Sequence, residues 1–177
     1  PFGWILKPEE FEKGLDVAVS NIKRIPANSI DPRIKNYHWL DLVNGMFDAY
    51  DRGHHTVLLT DKENNVLEGP GFNIFSVDKI NLSTPDQGVL EGIIRQTVLD
   101  LAKELKLPIN LGPLSVQKLK SSTELFATST AGGIMPITKI NGQQIGTGIP
   151  GKITTQLHKA YWNKHTDSTW SIAVEDL

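Results

Sequence analysis

The sequence predicts a mixed α/β or α+β domain with several antiparallel strand pairs, rather than a doubly wound parallel sheet. Three observations lead there. Short apolar runs bounded by turn residues recur along the chain. One of them, followed by Asp61-Lys62-Glu63-Asn64-Asn65, reads as a hairpin. Helical periodicity interrupts these runs three times.

Taken in order, residues 14–23 read as a strand with Val17 and Val19 on one face. Pro26, Asn28, Ser29, Asp31 and Pro32 then mark a loop. From about Trp39, the apolar residues Leu42, Val43, Met46, Phe47 and Tyr50 recur at helical spacing, and Gly53 is a suitable stop. A short strand at 55–60 precedes the turn, and Val66-Leu67 starts the return limb of the expected hairpin. Two more strands are expected at 72–77 and 80–83. Residues 92–106 carry the clearest helix, its stripe made of Ile94, Val98, Leu101, Ala102 and Leu105, with Pro108 beyond its end. Strands follow at 109–112, 124–129 and 135–140, and a last helix at about 152–164 places Leu157 and Tyr161 on one face.

Composition narrows the function classes. The 177 residues are 39% hydrophobic and 21% charged with net charge −2, the ordinary balance of a globular domain. No basic stripe interleaved with aromatics suggests nucleic acid, and no apolar run approaches the roughly 20 residues of a membrane helix. Neither partner is expected. Cys is absent, which excludes disulfides and thiolate metal sites. His54 and His55 are adjacent on an expected strand and so point apart, and His158 and His165 lack a carboxylate at ligand spacing, so no metal is expected. No G-x-S-x-G elbow occurs. A cytoplasmic location is expected. The chain opens on Pro1 rather than Met.

Four segments can carry chemistry. Lys35 stands between a loop and a helix among Ile34, Tyr37 and Trp39. Such neighbours suggest partial burial, which disfavours the ammonium and suits a lysine that bonds carbonyls. A surface lysine with its stem along Tyr37 or Trp39 is the plainer alternative. Glu68 precedes a Gly69-Pro70-Gly71 turn, where a carboxylate can be held to face a cationic ring nitrogen, or can simply be solvated. Leu90-Glu91-Gly92-Ile93-Ile94-Arg95 opens the clearest helix, whose free N–H groups suit a phosphate. Thr128-Ser129-Thr130-Ala131-Gly132-Gly133 forms a hydroxyl-rich turn after a strand, able to complete an anion cradle or merely to punctuate.

In this order, the four segments resemble the class IV (fold type IV) pyridoxal-phosphate (PLP) aminotransferases. That family includes branched-chain and D-amino-acid aminotransferases, (R)-selective amine transaminases and aminodeoxychorismate lyases. The similarity runs from about residue 14 to 164, and includes Ile34-Lys35-Asn36, Leu67-Glu68-Gly69-Pro70-Gly71-Phe72-Asn73, Leu90 to Arg95, Ala127 to Pro136, and Pro150-Gly151-Lys152. The resemblance implies a large C-terminal pseudo-barrel domain with outer helices, PLP as cofactor, and ping-pong transamination between a small amino donor and a keto acceptor in a homodimer. It implies that Lys35 carries PLP as a Schiff base and moves the substrate proton. Glu68 would pair with the ring nitrogen and Leu90 would pack on the ring face. Ile93 and Ile94 amides, with Ser129 and Thr130, would hold the phosphate. Thr130, Ala131, Tyr37 and Trp39 would meet the substrate.

The chain departs from the family pattern at Ile94, where Thr is usual. Its direct Lys35-Asn36 step and Ala131-Gly132-Gly133-Ile134-Met135-Pro136 look more like the (R)-selective enzymes, since branched-chain enzymes space the lysine further from Asn. Family members carry a smaller N-terminal domain before this region, supplying a phosphate-binding Arg and part of the substrate pocket. Residues 1–177 are therefore expected to be the PLP-binding large domain with that small domain absent. A lyase on the same scaffold, or a non-catalytic partial domain, are the alternative expectations.

Overall fold

The computed structural model describes residues 6–172; Pro1 lies outside them. The chain folds as β1 (Leu15–Lys23), α1 (Leu40–Asp51), β2 (Thr56–Thr60), β3 (Glu68–Gly69), β4 (Phe72–Asp78), β5 (Asn81–Thr84) and α2 (Ile93–Glu104). It continues through β6 (Ile109–Leu111), α3 (Val116–Ser121), β7 (Glu124–Ser129), β8 (Gly133–Ile140), β9 (Gln143–Gln144) and α4 (Lys152–Asn163).

The strands form one mixed sheet in the order β2-β1-β8-β7-β4-β5-β6, with β3 added to β4 and β9 to β8. β1 lies parallel to both β2 and β8, and β5 lies parallel to β6. The β3–β4, β4–β5, β4–β7, β7–β8 and β8–β9 pairs are antiparallel. The sheet then returns on itself. The residues just before β3 meet β2 through a Thr60–Val66 bridge and a Leu67 N–H to Leu59 C=O bond of 3.0 Å. The circuit β2-β1-β8-β7-β4-β3 is thereby closed, and this is the expected pseudo-barrel.

Period-two alternation divides the side chains between inside and outside. Leu15 and Val17 of β1, Leu58 of β2, Phe72 and Ile74 of β4, Leu125 and Ala127 of β7, and Met135 and Ile137 of β8 share one buried cluster within the circuit. The intervening residues Phe75, Val77, Phe126 and Ile134 face outward and are covered by Val98, Leu101 and Ala102 of α2 and by Ile153, Leu157 and Tyr161 of α4. On the opposite side, Ala18, Val57 and Leu59 are covered by Leu42 and Ala49 of α1.

Two expectations change. The 55–67 hairpin shrinks to the single Thr60–Val66 bridge, because β2 spends its ladder on β1 instead. The expected stripe of α1 is buried only in part: Leu42 packs inward with Met46 half-buried beside it. Val43, Phe47 and Tyr50 are 39%, 61% and 54% exposed, whereas Asp41, Leu42, Gly45 and Ala49 are buried. The small edge of the helix wins because it permits close approach: a Cβ on Gly45 would lie 2.8 Å from Leu59 Cδ2. α3 and β9 had no expected counterpart; each is too short for a periodic signal to emerge.

The phenyl rings of Phe75 and Phe126 stack between sheet and helices, centroids 5.0 Å apart, both fully buried. Phe126→Ala should cost about 3–5 kcal/mol through lost burial and the cavity left behind. Ile80→Thr, at a half-exposed turn, should cost less than about 0.5 kcal/mol. Urea unfolding of the two variants beside the parent measures both.

Candidate active site

One cavity of about 280 Å³ opens at the edge of the closed circuit. Its walls come from the β1–α1 loop, the β3–β4 turn, the start of α2 and the end of β7. Lys35, Glu68, Leu90, Ile93, Ile94, Ser129, Thr130 and Trp39 all line it. Tyr37 and Ala131 do not. The side chain of Asn36 explains Tyr37: its Nδ2 donates to Ile34 C=O at 2.7 Å and its Oδ1 accepts from His38 N–H at 2.9 Å, and this turn throws Tyr37 fully into solvent. Lys35 is also exposed, not partly buried as its neighbours suggested, because Ile34 and Tyr37 are themselves exposed and give it no cover.

Glu68 is the deepest charge of the cavity, 6% exposed. Pro70 and Gly71 turn the chain immediately after β3, and Gly71 has φ +80°, as the third position of a type II turn requires. A side chain on Gly69 would strike the Phe72 ring, so the turn is closed tightly. Glu68 Oε2 accepts the Leu90 N–H at 3.0 Å, and Oε1 accepts Arg24 Nη2 at 3.1 Å and Nε at 3.3 Å. Burial raises the Glu68 pKa, while the Leu90 amide and the Arg24 charge pull the other way. Asn73, opposite Glu68 in the β3–β4 ladder, donates from Nδ2 to Leu90 C=O at 2.8 Å. Both polar groups of Leu90 are therefore tied to the hairpin, and its side chain is left at the cavity wall.

The next residues open α2. Gly92 caps it in an extended conformation without a side-chain bond, and the first helical bond is Gln96 N–H to Gly92 C=O at 2.9 Å. The N–H groups of Ile93, Ile94 and Arg95 are thus left as uncapped donors at the positive end of the helix. Only glycine fits at the cap, since a Cβ would meet Asn73 Oδ1 at 2.4 Å. Across the cavity, Ser129 Oγ accepts Ala131 N–H at 3.1 Å and so shapes the turn, and Thr130 stands exposed at its tip. Two buried polar atoms of lining residues, Arg95 Nε and Thr128 Oγ1, have no partner.

Arg24, Asp41, Asn73 and Thr128 escaped the sequence-based site. Asn73 and Thr128 lay within the recognised segments and could have been found by strand alternation. Arg24 and Asp41 left no local signal, being 44 and 27 residues from Glu68.

The arrangement offers a carboxylate acceptor, an apolar wall, an uncapped helix start and a reachable amine around one slot. It suits a flat molecule with a cationic ring end and an anionic end.

Known proteins share this fold. The crystal structure of the branched-chain amino acid aminotransferase of Escherichia coli superposes with TM-score 0.87 at 31% identity, covering 92% of this chain and 55% of that one. That of Thermobaculum terrenum, in its PLP form, gives TM-score 0.84 at 32% identity over 89% of this chain and 53% of that one. In sequence, the branched-chain-amino-acid aminotransferase of E. coli K12 is 32% identical over 174 residues, 96% of this chain and 56% of the relative. The chain thus spans little more than half the length of the relatives it matches. A family model for class IV amino-transferases matches residues 5–140, and the chain belongs to that family.

Proposed function

We propose that this chain is the cofactor-binding domain of a PLP-dependent transaminase that moves an amino group between a small amino acid or amine and a keto acceptor. The observation that carries the reading is that Lys35, Glu68 and the uncapped start of α2 line one cavity. The residues fit the cofactor chemically. A buried carboxylate suits the ring nitrogen, the side chain of Leu90 suits the ring face, and the amides of Ile93 and Ile94 with Thr130 and Ser129 suit a phosphate. The unpartnered Thr128 Oγ1 and Arg95 Nε are further donors on the same wall. Structures of the chain's relatives include a PLP form and a complex with N-(5'-phosphopyridoxyl)-L-glutamate.

When bound, PLP supplies an electron sink for the charge left by removing the substrate's α-proton. Lys35 Nζ would hold the cofactor and would serve as the base that moves that proton. Its exposure lets the amine swing. Glu68 would favour a protonated ring nitrogen, aided by burial, which makes its carboxylate more basic. The helix start anchors the phosphate through backbone donors, so Ile94 serves without the hydroxyl its family usually carries. Thr130 and Trp39 contribute the substrate side of the cavity; Ala131, just beyond Thr130, and Tyr37 would reach it only from another chain or after rearrangement. A homodimer acting in the cytoplasm agrees with this reading: Leu40, Phe47 and Tyr50 form an exposed apolar stripe on α1.

Borohydride reduction of the PLP-treated protein, followed by peptide mapping, should place a pyridoxyl adduct on Lys35 and none in Lys35→Ala. An adduct on another lysine overturns the assignment.

Glu68→Gln keeps the shape of the side chain and removes its charge. In single turnover with an amino donor and saturating PLP, the chemical step should slow more than about tenfold, or roughly 1.4 kcal/mol. Accumulation of pyridoxamine phosphate in the parent separates a transaminase from a lyase.

A further inference from the structure

Glu68 does not stand alone behind the cavity. Arg24, on the chain leaving β1, reaches two carboxylates at once: Nη1 meets Asp41 Oδ2 at 2.6 Å while Nε and Nη2 meet Glu68 Oε1. All three side chains are withdrawn from water, at 13%, 7% and 8% side-chain exposure for Arg24, Asp41 and Glu68. Asp41 is fixed independently in the first turn of α1. Its Oδ1 accepts its neighbour Leu42's N–H at 2.8 Å and its Oδ2 accepts Ile25 N–H at 2.9 Å.

The charge count is the informative part. One guanidinium faces two carboxylates, so the cluster carries a net charge of about −1. Among the described residues no other cation is paired with either carboxylate. A buried excess charge is costly unless a counter-charge arrives. Were Glu68 and Arg24 a simple pair, the cluster would be neutral and its guanidinium would repel a cationic ring. A second carboxylate on Arg24 reverses that balance. Acceptor capacity points the same way: Arg24 takes both directions on Glu68 Oε1, and Leu90 takes one on Oε2, leaving one on Oε2.

We propose that Asp41 is a positioning residue that acts through Arg24, offsetting part of its positive charge so that the cluster around Glu68 stays net negative toward a protonated ring nitrogen. This rests on the reading of Glu68 as the ring partner. Asp41 does not touch the cavity; it engages one end of the guanidinium and thereby sets how much positive charge falls on Glu68. The other charged groups lining the cavity beside Glu68 are Lys35, Glu91 and Arg95.

Two measurements test the relay. The first needs no cofactor: carboxyl ¹³C titration of Glu68 in the whole chain, assigned by its disappearance in Glu68→Gln. Asp41→Asn should shift the Glu68 midpoint down, because a neighbouring negative charge is lost and Arg24 is left undivided. Arg24→Gln should shift it up, because a buried carboxylate loses its cation. Opposite shifts mark an electrostatic relay; mere loosening would move both variants the same way. An unchanged or raised midpoint in Asp41→Asn overturns the proposal. The second uses ring-¹⁵N-labelled PLP bound to the same proteins, whose nitrogen resonance distinguishes pyridinium from pyridine. The parent should show pyridinium, and Asp41→Asn and Glu68→Gln should both lose it. Pyridinium retained in Glu68→Gln overturns Glu68 as the ring partner. Loss in Glu68→Gln with retention in Asp41→Asn overturns the relay alone.

Discussion

The peptide of Leu90 is gripped from both sides, its N–H by Glu68 and its C=O by Asn73, two residues paired across the β3–β4 ladder. Much of the site depends on this grip. It joins the deepest charge of the cavity to the loop that begins α2, so the carboxylate and the uncapped helix donors keep a fixed separation. Buried polar groups that satisfy one another in this way rigidify their surroundings, whereas a single unsatisfied member would cost about 1–3 kcal/mol. The close fit at Gly92, where any side chain would run into Asn73, is part of the same joint.

Closure of the sheet makes that joint possible. β3 is only two residues long, and a free two-residue strand would have little to hold it. Here it is wedged between the β4 ladder and the return bond from Leu67 to Leu59. The interior cluster then packs from five strands at once, and the outer faces are left for helices. The cavity opens where the circuit meets the starts of α1 and α2. It lies at an edge because the strands themselves leave no room inside: Leu15, Val17, Ile74 and Met135 fill the interior.

The exposed side of α1 contrasts with this economy. Leu40, Phe47 and Tyr50 present apolar surface beside the loop that carries Lys35, and the chain spans only part of the relatives it matches. A helix whose small edge faces the sheet and whose large residues face outward leaves an apolar patch open to solvent. The buried edge is set by Gly45 and Ala49, which let α1 approach Val57 and Leu59 closely.

Much of this molecule was legible from its residues. The Gly69-Pro70-Gly71 turn, the stripe of α2, the glycine before it and the alternation in β4, β7 and β8 are signals carried within a few neighbours, and the family resemblance built on such segments singled out Lys35, Glu68, Leu90, Ile93, Ile94, Ser129 and Thr130, all of which line the cavity. What sequence could not decide was anything that two distant segments settle between them. β2 chose β1 over its expected hairpin partner because a parallel ladder and a helix cover its apolar residues better than a short return limb would. Tyr37 stands outside the cavity because the hydrogen-bonded Asn36 turn holds it in solvent. Arg24 and Asp41 acquired a role only when the end of β1, the start of α1 and the β3 turn were brought within hydrogen-bond reach. A local pattern is read by backbone geometry and solvent alone, but a buried charge is defined by the partners that the closed sheet places around it.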